Sequence, residues 1–259
     1  MKRVVLDGIS KSFARGGGAK AKVFDSLSLE LGDDEFTSLI GPNGSGKTTL
    51  LNIIASVTRP DSGTVEIRTQ HRGAPHIGFV WQDYRASLLP WYSVAENIAF
   101  PLRISGQGRQ ERKKRAESLL RMFTGDVRAE QRISELSGGQ QQLVNVLRSF
   151  IDDPDVLLMD EPFSALDQQR RWTLALYVQK AWLAAPKPVL FVSHDIDEGV
   201  LLADKILLLS ARQGKIQRTL HNPLPRPRTI AMLTAAEHLA CRKAVIEFLA
   251  DEGLVQGKD

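Results

Sequence analysis

The chain predicts an α/β fold built on a mostly parallel sheet, and three observations carry that prediction. Short apolar runs at residues 35–40, 155–159 and 188–193 alternate with longer stretches of helical period. Each run ends in residues that suit a ligand crevice: a glycine-rich loop, a pair of acids and a His-Asp pair. Two other segments, residues 26–30 and 64–68, alternate polar and apolar side chains as half-exposed antiparallel strands do.

The elements follow in order. Residues 1 to about 80 hold short strands and turns, with no apolar leader before the first strand, and Gly16, Gly17 and Gly18 form a flexible turn. Residues 35–40 enter a loop as a strand, and residues 47–55 leave it as a helix. Residues from about 88 to 150 read as an inserted helical subdomain, with 109–123 its clearest helix. Strand-helix alternation returns from 151 to about 220. A proline-rich extended link at 222–228 then leads to a terminal helix at 229–250. The expected organisation is one domain over 1–228 with a tail at 229–259. No internal repeat is present, so there is one such unit and not two in tandem.

The loop from Gly41 to Thr48 reads Gly-Pro-Asn-Gly-Ser-Gly-Lys-Thr. An oligophosphate needs backbone N–H groups crowded around it, and glycines allow that approach. The helix that follows aims its amide donors and dipole at the same anion. Lys47 would reach the β- and γ-phosphates of a nucleoside triphosphate, and the Thr48 hydroxyl would ligate Mg²⁺. Gly41, Pro42, Asn43, Gly44, Ser45, Gly46, Lys47, Thr48 and Thr49 form the expected cradle.

The run at 155–159 ends in Asp160-Glu161-Pro162. A buried parallel strand ending in acids places them at the crevice. Asp160 would hold Mg²⁺ through water. Glu161, one residue on, would orient and polarise an attacking water. The run at 188–193 ends at His194-Asp195. A lone histidine is more often structural, but its place at a third strand end makes it a candidate.

Leu136-Ser137-Gly138-Gly139-Gln140 completes the set. With the phosphate loop, this pentapeptide resembles the ATP-binding cassette (ABC) family, and the resemblance covers nearly the whole chain. It implies a P-loop NTPase fold with a RecA-like core, an antiparallel β subdomain and the inserted helices. It implies that His194 contacts the γ-phosphate and the attacking water, and that Gln82 touches Mg²⁺ and that water. Phe13 sits where the family stacks an aromatic on adenine, and Val23 where an aliphatic packs nearby; Phe13 also reads as an ordinary strand aromatic. Ser137, Gly138, Gly139 and Gln140 match the signature that meets the nucleotide of a partner subunit. Residues 164–167, ending in Asp167, match the loop that crosses the dimer interface. One departure follows the signature, where Leu143, Asn145, Leu147 and Phe150 make a bulkier, less basic helix than the pattern.

The resemblance implies a homodimeric ATPase that uses ATP and Mg²⁺, with catalytic residues Glu161, His194, Gln82 and Lys47 and metal ligands Thr48, Gln82 and Asp160. With 259 residues and 42% hydrophobic content the chain can bury one substantial core. It has no apolar run near the ~18 residues a membrane span needs. Its single cysteine, Cys241, rules out an internal disulfide and points to a reducing cytosol. With no span of its own, the chain would have to deliver its stroke to something else, and the resemblance implies separate membrane permease subunits, at the cytoplasmic face of the inner membrane, with a solute-binding protein in the same system. Leu88-Leu89-Pro90-Trp91 is similar to ATPase subunits of nitrate, sulfonate, taurine and pyrimidine-precursor importers. Residues 88–98 are expected to form an apolar groove for a permease helix, anchored by Trp91. The net charge of +4 concentrates around Arg109, Arg112, Lys113, Lys114 and Arg115, either a solvated face or a contact with a partner or membrane surface. No aromatic interleaving accompanies it, so nucleic acid is not expected. The alternative class is a soluble ABC ATPase acting on nucleic acid or ribosomes. Those usually carry a coiled-coil insertion, for which the 53 residues between Gln82 and Leu136 leave no room. A P-loop kinase is opposed by the signature and His194.

Overall fold

Alternation builds the first sheet. In strand β2 (Lys20–Gly32), Phe24, Leu27, Leu29 and Leu31 turn inward while Ser28 and Glu30 face solvent. Ser26, at φ 55°, sits at a register break against β1 (Lys2–Ala14), which is why the inward set skips from Phe24 to Leu27. The third member, β4 (Ser62–Ile67), pairs antiparallel on the other side of β1. A computed structural model describes residues 2–14, 20–69, 73–123, 126–164 and 166–253. The expected turn at Gly16 to Gly18, and Ala165, lie outside the described residues.

The second sheet has six strands in the order β5-β6-β7-β3-β8-β9. These are β3 (Phe36–Ile40), β5 (Ile77–Val80), β6 (Val156–Asp160), β7 (Val189–Val192), β8 (Lys205–Ser210) and β9 (Lys215–His221). Only β9 runs antiparallel to its neighbour. Every residue of β3, β6 and β7 is buried, as expected of parallel strands covered on both faces. Successive side chains serve opposite cores. Leu39, Leu158, Leu190 and Val192 pack with helix α1 (Lys47–Ile54) and the antiparallel sheet. Phe36, Leu157, Met159 and Phe191 pack with the helices on the other face.

Those helices are α2 (Tyr84–Ser87), α3 (Val94–Ile98), α4 (Phe100–Ile104), α5 (Arg109–Arg121), α6 (Gly138–Phe150), α7 (Gln168–Ala184), α8 (Ile196–Leu202) and α9 (Ala236–Asp251). Among the described residues, no helix is long and apolar enough to cross a membrane.

Three expectations are corrected or refined. The terminal helix is not continuous from 229 to 250. A 3₁₀ turn at Ile230–Thr234 comes first, Ala235 is extended, and α9 starts afresh at Ala236. The proline-rich link is anchored as well as extended. Arg228 is buried and donates to the carbonyls of Leu201, Ala203 and Leu224, so the link is clamped to the end of α8. The third concerns residues 88–98. Leu88, Val94, Ala95 and Ile98 face the helical core, while Tyr92, Ser93, Ala95 and Glu96 line an open concavity, so the groove at this run is less apolar than expected. The non-helical stretch before α3 is held by buried Asn97, which accepts from the Leu89 amide at 2.9 Å and donates to the Leu89 and Ser93 carbonyls at 3.0 and 3.1 Å.

Candidate active site

Strand register gathers the chemistry at one edge. Leu39 and Asp160 both pair with Val192, and Val80 pairs with Met159, so β5, β6, β7 and β3 end at nearly one level. The residues just beyond those ends are Gln82, Glu161, His194 and the loop from Gly41. Crevices at the carboxyl ends of parallel strands are where ligands bind in such sheets.

The loop is built for close approach. Gly46 has φ +99° and opens α1, and a Cβ there would collide with Val23 and Phe24 of β2. The antiparallel sheet thus forms one wall of the loop. Lys47 is buried and donates to the carbonyls of Gly41 and Pro42 at 2.9 and 2.8 Å. Burial pushes its ammonium pKa down, and the nearby Glu161 and Asp160 carboxylates oppose that shift. Ser45 Oγ is buried without a hydrogen-bond partner, in a loop whose neighbours Asn43 and Gly44 are exposed. An incoming anion would supply that partner. Phe13 stands exposed at the end of β1, with the Lys11 ammonium 5.3 Å from its ring centroid.

Asp160 is also buried. Burial raises its pKa, while a hydrogen bond from Thr48 and the charges of Lys47 and His194 lower it. Its Oδ1 has no partner. A hydroxyl beside a carboxylate with a spare buried oxygen fits a small hard cation. No cluster of three His, Cys, Asp or Glu residues suited to a metal exists among the described residues. A cation here would therefore draw further ligands from phosphate oxygens and water.

Glu161 adopts φ 48°, a left-handed backbone uncommon outside glycine. Its amide donates to the Val192 carbonyl at 2.9 Å. Its side chain is held from both sides: Gln82 Nε2 donates to Oε2 at 2.9 Å, and His194 Nε2 meets Oε1. Gln82, Glu161 and His194 thus converge from three adjacent strands. A nearly buried carboxylate with its orientation fixed this way can accept a proton from a water placed against it.

The signature residues sit elsewhere. Ser137 caps α6 and accepts from the Gln140 amide, and Gln140 accepts from the Ser137 amide at 2.9 Å, a capping box. Asp167 caps α7 and accepts from the Arg170 amide at 3.0 Å. Ser137, Gly139, Gln140 and Asp167 line one open concavity, to which none of Gly41 to Thr49 contributes. The bulky residues after the signature are helical core: Leu143, Leu147 and Phe150 are buried, and Asn145 Oδ1 accepts from Ser87 and Arg148 at 3.0 Å each.

Sequence reasoning missed a network beside His194. Arg171, Ser193, Asp195 and Glu198 are joined by hydrogen bonds and ion pairs. The available signal was Asp195 three residues before Glu198, a helix-start pattern, which the structure places at the N-terminus of α8.

Comparison with known proteins identifies the family. The ABC transporter family profile matches residues 24–164. An uncharacterized ABC transporter ATP-binding protein of Methanocaldococcus jannaschii is 37% identical over 254 residues, 97% of this chain and 93% of that protein. The taurine import ATP-binding protein TauB of Pseudomonas savastanoi is 41% identical over 206 residues, 79% of this chain and 78% of its own length. A solved ATP-binding cassette, dimeric and bound to ADP and Pi in a post-hydrolysis state, superposes with a TM-score of 0.71 at 29% identity, over 84% of this chain and 98% of that one. A phosphate loop, a carboxylate fixed at a strand end and a capped signature helix in one such chain are the parts of an ATP-hydrolysing cassette, and the protein belongs to the ABC transporter family as one of its ATPases.

Proposed function

We propose that the protein is the ATPase subunit of an importer, working as a homodimer that sandwiches two ATP between the phosphate loop of one copy and the signature of the other. The observation that carries this is the separation of the two halves: the signature and Asp167 line a concavity that the phosphate loop does not reach. A site split in this way is complete only when a second copy is turned head to tail. The capped N-terminus of α6, with the Gly138 and Gly139 amides, then offers anion-binding donors to the partner's nucleotide.

Within one copy, the Gly41 to Thr49 loop cradles the phosphates and Lys47 leaves its two carbonyl partners for them. Thr48 and Asp160, assisted by Gln82, would hold Mg²⁺, which would supply charge neutralisation for the phosphates. Glu161 orients the water and takes its proton, and His194 steadies both the carboxylate and the γ-phosphate. Phe13 and Val23 receive the base. Closure on ATP and opening after hydrolysis form a rigid-body stroke.

The stroke goes to permease subunits at the cytoplasmic face of the membrane, with a solute-binding protein supplying the cargo. Support comes from the taurine import relatives and from Trp91, which is 65% exposed beside Pro90. The concavity beside it is lined by Tyr92, Phe100, Arg103 and Arg112, an aromatic and basic seat for a permease helix. The cargo belongs with small solutes such as taurine, sulfonates, nitrate or pyrimidine precursors. The test is reconstitution: the chain is co-purified with its permease, and uptake of these solutes into ATP-loaded vesicles is measured. ATP-dependent uptake is expected; stable association with ribosomes or DNA in place of a permease would overturn the proposal.

A further inference from the structure

Both residues that flank His194 are held by side chains that take no direct part in the site. Ser193 Oγ donates to Glu198 Oε2 at 2.6 Å and accepts from the Asp195 amide at 3.0 Å. Asp195 caps α8, accepting from the amides of Asp197 and Glu198 at 2.9 and 3.2 Å. The guanidinium of Arg171, on α7, closes the network. Its Nη1 donates to Asp195 Oδ2 at 3.0 Å, and its Nε lies 3.2 Å from Glu198 Oε1.

The same guanidinium faces the other way as well. Its Nη2 donates to the Leu166 carbonyl at 3.2 Å, immediately before Asp167. That loop begins at the catalytic carboxylate, because the amide and hydroxyl of Ser164 both donate to the Glu161 carbonyl, at 3.2 and 3.1 Å. One planar group therefore ties the segment that ends in Asp167 to the turn that carries His194. A fork with fixed donor directions can bond Asp195 and Leu166 at once while its charge lies beside Glu198, whereas an ammonium is a single point charge. Glu198 is buried and Arg171 only partly so, and an ion pair in such a place is weak as a stabilising device, which leaves its geometry as what it contributes.

We propose that Arg171 and Glu198 are positioning residues that set His194 according to the place of the Leu166–Asp167 loop. This rests on the reading that Asp167 meets a partner subunit. Docking of the partner against that loop would be passed through the Arg171 guanidinium to the Ser193–Asp195 turn, so seating of the second copy adjusts how His194 stands against Glu161.

The test is a double-mutant cycle on steady-state ATP hydrolysis. Arg171→Gln should lower kcat by about tenfold to a hundredfold while KM for ATP stays within about twofold. Arg171→Lys should restore little of it. In a His194→Ala background, Arg171→Gln should have no further effect, because the group it positions is gone. Equal losses in both backgrounds, or an unchanged kcat, would overturn the proposal. If Arg171→Gln does not fold by circular dichroism, Glu198→Gln, which keeps the side-chain shape, goes through the same cycle with the same expectation. Failure of both variants to fold would make the pair a structural strut and also overturn it. Glu161→Gln is run in parallel. If it hydrolyses as fast as wild type, the underlying hydrolytic reading fails, whereas loss there with none in Arg171→Gln sinks this inference alone.

Discussion

Gln82 reaches across from the end of one strand to hold Glu161 on the next, its Nε2 2.9 Å from Oε2. The amide cannot take a proton from a water, and the carboxylate can, so the pair divides orientation from chemistry.

Glu161→Gln should keep nucleotide binding and lose turnover by at least about a hundredfold. The variant should accumulate as an ATP-bound dimer on a sizing column. Turnover near the wild-type rate would remove Glu161 from the role of base.

Lys47→Ala should act on binding. The ammonium sits buried against the Gly41 and Pro42 carbonyls, ready to exchange them for phosphate oxygens. Affinity for a fluorescent ATP analogue should fall by about tenfold or more, the value of a charge-assisted hydrogen bond. Equal affinity would show that the lysine stays with its carbonyl partners.

A mixture of Lys47→Ala and Ser137→Arg subunits, each inactive alone, should regain part of the activity. A head-to-tail pair leaves one composite site with an intact cradle and an intact capped helix. Hydrolysis that is independent of protein concentration down to high dilution would count against the shared site.

Trp91→Ala should leave hydrolysis by the free subunit within about twofold of wild type and abolish co-purification with the permease and solute uptake. The indole is exposed and packs edge-on against Tyr92, with ring centroids 6.3 Å apart. Normal uptake would move the docking seat away from this residue.

Glu198 gives a pH dependence. Burial, opposed by its hydrogen bond from Ser193 and by Arg171 and reinforced by Asp195, raises its pKa from 4.5 to about 7. An acid that is weaker in the folded state than in the unfolded one stabilises the fold when protonated. That contribution is complete below 4.5 and is lost as pH rises through about 7, amounting to about 3 kcal/mol. The melting temperature of wild type should therefore fall relative to that of Glu198→Gln between about pH 5 and about pH 8. Parallel pH profiles of the two proteins would contradict the shift.

The cradle, the acids and the histidine were legible in sequence because each is a local pattern at a strand end, and strand ends meet wherever a parallel sheet forms. The left-handed backbone of Glu161 was not legible, since no glycine or asparagine marks it. Residues 88–98 line a concavity that is aromatic and basic, not the apolar groove expected, because inward and outward apolar side chains look alike in a run without clear period. Asn97, buried and bonded to three segments of that run, decides which is which. Arg171 and Glu198 escaped notice because an arginine and a glutamate 27 positions apart carry no local signature.

The order of the central sheet also governs how the chain must be assembled. The strand that leads into the phosphate loop, β3, has no neighbour drawn from the first half of the chain; it is flanked by β7 and β8, with Ser38 opposite Phe191 and Ile206. During synthesis, β3 therefore stays without a strand neighbour until about 150 further residues have emerged. Its apolar edge is exposed for that whole interval, a window in which aggregation competes with folding and a holding chaperone has something to hold. A ribosome that stalls before β7 releases a fragment carrying a complete ATP-binding motif and no stable place to put it.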